Sequence, residues 1–68
     1  MIRTEKIEGL LAEHHLTKSD MANKLGITPK TFYLKMQKGV FGSDEIQIMI
    51  DELHIKEPMD IFLLKSNL

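Results

Sequence analysis

Apolar side chains recur along this chain at spacings of three and four residues. Ile7, Leu10, Leu11 and His14 fall at i, i+3, i+4 and i+7, which predicts a helix starting near Thr4. Thr17 then precedes the polar run Lys18-Ser19-Asp20. It suits an N-cap, and Asp20 at the third helical position suits the positive helix end. In this short second helix Met21, Ala22 and Leu25 face inward, and Gly26 stops it in the left-handed conformation that ends helices. Thr28-Pro29 caps and opens a third helix to about Lys38, closed by Gly39. Val40 and Phe41 are expected to tuck against the core. Ser43 is read as the cap of a fourth helix carrying Ile46, Met49, Ile50 and Leu53 on one stripe, with Ile48 off it. A last segment runs from Pro58 to about Leu64, and its residues Met59, Ile61, Phe62, Leu63 and Leu64 are too apolar for a solvated tail. No stretch alternates with the period of a strand. The expected fold is all-α: a compact domain of four to five helices over residues 1–68, without repeats or low-complexity segments.

Charge changes the picture once it is divided along the chain. The net value is −1. Residues 14–42 carry Lys18, Lys24, Lys30, Lys35 and Lys38 against Asp20 alone. Residues 43–68 carry Lys56 and Lys65 against Asp44, Glu45, Asp51, Glu52, Glu57 and Asp60. A basic middle suits a surface facing a polyanion, and an acidic end suits one turned away from it.

Residues 17–39, TKSDMANKLGITPKTFYLKMQKG, form the informative unit: a short helix, a tight turn containing glycine, and a second short helix. Ala22 is small where the two helices approach most closely. Gly26 permits the turn that sets them at roughly 90–120°. Leu25, Ile27 and Phe32 plug the angle from the core side, with Met36 below them. The outward face of the second helix then presents Thr28, Lys30, Thr31, Tyr33, Leu34, Gln37 and Lys38.

This segment resembles the helix-turn-helix of the Cro and phage-repressor DNA-binding family. The resemblance rests on Ala22, Gly26 four residues later, Ile27 after it and Phe32 six beyond the glycine. It extends to the amphipathic helix before the motif and to the GVFGSDEI connection after it, covering about residues 4–56. It implies a lambda-repressor-like domain whose third helix enters the major groove, with double-stranded DNA as partner. Relatives place a polar reader where this chain has Pro29, so base reading falls to Thr28, Lys30, Thr31 and Tyr33. Lys30 suits guanine, and Thr31 or Leu34 suits a thymine methyl. Gln37 lies one turn on, nearer the backbone. Thr17 and Lys18 stand at a helix N-terminus suited to phosphate, with Lys35 and Lys38 as further clamps. The resemblance implies a small transcriptional regulator, a repressor of phage or prophage type.

Other chemistry fits poorly. There is no cysteine, and His14, His15 and His54 do not have metal-ligand spacing. No nucleotide loop, nucleophile elbow or paired carboxylate stands out, so neither an enzyme, a cofactor, a metal nor a small-molecule ligand is expected. The five methionines read mostly as core packing. No apolar run reaches the roughly 18 residues of a membrane span, and no signal peptide is read, so the cytoplasm is the expected location. One helix-turn-helix reads few base pairs, so a weak homodimer is expected, joined through the fourth helix or residues 57–68. The competing reading is a protein-interaction module that uses the acidic end of the same fold.

Overall fold

The computed structural model describes residues 2–62, and five helices organise them: α1 (Thr4–Glu13), α2 (Lys18–Leu25), α3 (Pro29–Lys38), α4 (Ser43–Glu52) and α5 (Pro58–Phe62). No strand occurs among the described residues. The all-α expectation holds.

The first four helices stop in the same way. Each is followed by a residue with positive φ: His15 at 58°, Gly26 at 75°, Gly39 at 70° and His54 at 53°. The next residue turns its N–H back onto a carbonyl of the last helical turn. Leu16 donates to Leu11 at 2.8 Å, Ile27 to Ala22 at 3.0 Å, Val40 to Lys35 at 3.1 Å and Ile55 to Ile50 at 3.0 Å. This is the Schellman arrangement, which satisfies helix-end carbonyls and places an apolar residue against the turn it closes. Leu16 and Ile27 pack against the core and Ile55 is buried, so three of the stops also contribute packing. Val40 does not. It is 62% exposed, contrary to expectation, because the chain must place Phe41 inward immediately after it.

The core is wholly apolar among the described residues. Ile7 and Leu11 from α1, Met21 and Ala22 from α2, Phe32 and Met36 from α3, and Met49 and Leu53 around α4 meet with Phe41, Ile55, Ile61 and Phe62. Phe32 has no exposed surface, and its ring lies 5.7 Å from that of Phe41. Full burial of such a side chain contributes about 1.5–3 kcal/mol. Ile48, off the predicted stripe, is half-buried and packs against the core. Met59, from the segment read as too apolar for a solvated tail, is 54% exposed.

One further local expectation changes. The N-cap of α4 is Gly42, and Ser43 is already its first helical residue. The Gly42 N–H donates to Glu45 Oε1 at 2.9 Å, so the glutamate closes this end without a hydroxyl partner. The α5 segment is held to the start of the chain. The Arg3 N–H donates to the Ile61 carbonyl at 2.7 Å, and Asp60 lies between Lys6 and Arg3. The Lys6 hydrogen bond, helped by the charges of Lys6 and Arg3, holds the Asp60 carboxyl below its ordinary range. The expected continuation through Leu63 and Leu64 lies outside the described residues.

Candidate nucleic-acid interface

The α2 and α3 helices are positioned by capping chemistry written in their first turns. At α2 the Thr17 hydroxyl accepts from the Asp20 N–H at 3.0 Å. The Asp20 carboxylate accepts from the Thr17 N–H at 2.9 Å, which completes a reciprocal capping box. These hydrogen bonds to Thr17 also keep the Asp20 carboxyl below its ordinary range. At α3 the Thr28 hydroxyl accepts from the Thr31 N–H at 3.1 Å, and Pro29 occupies the first turn.

Burial divides α3 lengthwise. Phe32 and Met36 face the core, while Lys30, Tyr33, Leu34, Gln37 and Lys38 face solvent. Lys30, Tyr33, Leu34 and Gln37 follow the three-four spacing of one helical face. Tyr33 and Leu34 are 55% and 42% exposed, a large apolar area to leave on a short helix without a purpose. Thr28 is exposed and Thr31 half-buried. Their hydroxyls are 2.9 Å apart, with Thr28 donating to Thr31. The Thr28 hydroxyl is thereby spent on the cap, and the Thr31 hydroxyl keeps its own proton free to donate.

The lysines fall into two groups. Lys18 Nζ lies 3.3 Å from Glu8, Lys24 Nζ 3.1 Å from Glu52, and Lys35 Nζ 3.1 Å from Glu45. Lys35, expected to clamp phosphate, is therefore tied to the same largely buried carboxylate that caps α4. Lys30 and Lys38 enter none of the ion pairs among the described residues. Thr17 and Lys18 are both exposed at the start of α2, with the Thr17 side chain held in its box. Thr4 and Glu8 of α1, Lys18 of α2, and Tyr33, Met36 and Gln37 of α3 surround a shallow depression of about 240 Å³. Glu8 and Thr4 were not visible as part of this surface in the sequence, because only the packing of α1 across the motif brings them there.

A sequence family described as bacterial regulatory protein, Fis family, matches residues 4–39, from the start of α1 to the residue that ends α3. The chain belongs to this family. No curated protein and no solved structure matches it. The Fis-family match covers the helix-turn-helix and the helix packed behind it, so the helix-turn-helix expectation holds. It does not specify the Cro or phage-repressor type. No helix among the described residues is long and apolar enough to cross a membrane, and no cluster of three or more metal-binding side chains occurs among them.

Proposed function

We propose that the chain is a sequence-specific DNA-binding transcriptional regulator, of the small phage or prophage type that its motif resembles, acting in the bacterial cytoplasm. The observation that carries this reading is the solvent face of α3. It presents Lys30, Tyr33, Leu34, Gln37 and Lys38 without an acid among them, backed by a rigidly packed side. Set in a major groove, the start of α3 meets base edges. Lys30 donates to guanine and the Thr31 hydroxyl donates to a base edge, while Thr28 serves mainly as the cap. Tyr33 reaches a base or a phosphate, Leu34 lies against a thymine methyl, and Gln37 and Lys38 meet backbone. Thr17 and Lys18 supply a phosphate contact at the α2 N-terminus.

The chain works as a weak homodimer that tightens on a palindromic operator, since a single recognition helix reads too few base pairs to be selective. Met59 supports an interface near α5, being the large apolar residue of Pro58–Phe62 that stands exposed. Ile48 supports one less, because it packs inward. The protein-interaction reading is weakened by the ion pairs: Glu45, Glu52 and Asp60, half of the acids after residue 42, are already engaged by lysines and Arg3.

The test is a mobility shift on the intergenic DNA beside the gene. Expected is a shift resisting mixed-sequence competitor, with affinity falling about 10³–10⁵-fold between roughly 50 and 200 mM salt for a dimer making about 6–10 phosphate contacts. Binding that is absent at low salt, or indifferent to salt, refutes the reading.

A further inference from the structure

We infer that Glu8 is an intramolecular competitor for the DNA backbone that limits the affinity of the proposed interface. The inference rests on the DNA-binding reading above but goes beyond it, since it assigns a negative role to a residue of α1.

Lys18 stands at the first position of α2, beside the capping box in which Thr17 and Asp20 already satisfy that helix end, so its ammonium is what this end offers a phosphate. Its ammonium is not idle. It lies 3.3 Å from Glu8 Oε2, with both side chains about half exposed. The pair is therefore open to exchange with solvent and is not a buried structural bridge. Glu8 also borders the depression whose far side is formed by Tyr33 and Gln37 of α3. A phosphate that takes up Lys18 must displace the Glu8 carboxylate from it. Glu45 provides the contrast: it also holds a lysine, but it is largely buried and caps α4, so its removal would disturb the fold. Glu8 makes no backbone hydrogen bond with its side chain among the described residues, so its charge can be removed without touching a cap.

The physical consequence is a brake on sequence-independent binding. Such binding is almost wholly electrostatic. Occupying Lys18 internally weakens the grip on any duplex, while base contacts made by α3 are untouched.

The experiment measures fluorescence anisotropy on a labelled mixed-sequence duplex at several salt concentrations. It compares wild type, Glu8→Gln, Lys18→Ala, the double variant, and Glu13→Gln, with folding checked by circular dichroism. Glu13 is exposed at the other end of α1, so Glu13→Gln makes the same change in net charge away from the depression. Expected is binding about two- to fivefold tighter for Glu8→Gln, the range that exposed ion pairs span. Its salt slope should steepen by about 0.9 per protomer for the contact released. The double variant should bind as Lys18→Ala does. Equal tightening by Glu13→Gln, or a double variant that still binds more tightly than Lys18→Ala, overturns the inference in favour of a general charge effect. If Lys18→Ala weakens binding and Glu8→Gln changes nothing, Glu8 has no such role and the DNA reading stands. If no variant binds any duplex at low salt, both readings fall.

Discussion

The four helix stops allow the cost of the left-handed conformation to be measured from both sides in one molecule. Gly26 sits at φ 75°, and a Cβ built there meets nothing within 4 Å. A side chain at position 26 is therefore opposed by the backbone alone. For an L-residue that opposition is about 1–2 kcal/mol, offset in part by the roughly 0.4–1 kcal/mol that losing a glycine removes from unfolded-chain entropy. Gly26→Ala should thus cost about 1 kcal/mol net. Gly26→Asn should cost less, because a short polar side chain tolerates this region, and Gly26→Val more, because a β-branched residue does not. His15 offers the reverse experiment. It holds φ 58° with an exposed side chain that makes no hydrogen bond among the described residues. His15→Gly removes the same opposition and should stabilise by up to about 1 kcal/mol. In a domain of this size each kcal/mol moves the melting temperature by about 4–8 °C. Thermal melts followed by far-ultraviolet circular dichroism should rank Val below Ala below Asn at position 26, with His15→Gly above wild type. A Gly26→Val melt equal to that of Gly26→Asn, or a His15→Gly melt well below wild type, refutes the idea that backbone conformation governs these stops.

Ala22 is fully buried in the core, so Ala22→Leu should overpack the site and lower stability by about 1–3 kcal/mol in urea unfolding; an unchanged midpoint would mean that the core has room there. Asp20 and Asp60 both have folded-state carboxyl pKa values below their ordinary 3.8. Their stabilisation is therefore complete above the unfolded value and is lost as pH falls through 3.8 to the lower folded values. Asp60→Asn should flatten that acid limb of the melting curve, and a limb unchanged in both Asp60→Asn and Asp20→Asn would remove these carboxylates from the explanation.

Much of the fold was legible because the helix signals are local. Thr17, Thr28, Pro29, Gly26 and Gly39 each act within four residues of themselves, and the observed ends of α2 and α3 follow from them. The stops at His15 and His54 were not legible. Histidine enters the left-handed region less readily than glycine and carries no signal that it will do so, yet both close a helix by the same hydrogen bond. The pairing of His14 with His54, rings 5.7 Å apart, was equally hidden, since it joins the ends of α1 and α4. Gly42 took the cap expected of Ser43 because Glu45 can satisfy the entering N–H from its side chain alone. In the candidate interface the exposed face of α3 was legible from the spacing of its residues. The partners of its neighbouring lysines were not, because Glu8, Glu45 and Glu52 reach the motif only through tertiary packing.

That packing changes what the basic middle of the chain means. Counted along the sequence, five lysines between residues 14 and 42 face a single acid. In the folded protein Asp20 is absorbed by its capping box, and Lys18, Lys24 and Lys35 are met by acids from α1 and α4. Among the described residues, the positive charge left without a partner on the motif is Lys30 and Lys38. Both are on α3, near its two ends, with the aromatic and apolar surface of Tyr33 and Leu34 between them. A chain with a net charge of −1 can therefore still present a cationic edge to a polyanion, provided the edge is one helix. The acids do more than dilute the lysines. By pairing Lys18 and Lys24 on α2, and Lys35 on α3 itself, they leave α3 the most cationic element of the motif, which favours approach of a polyanion by that helix over approach by the rest of the surface.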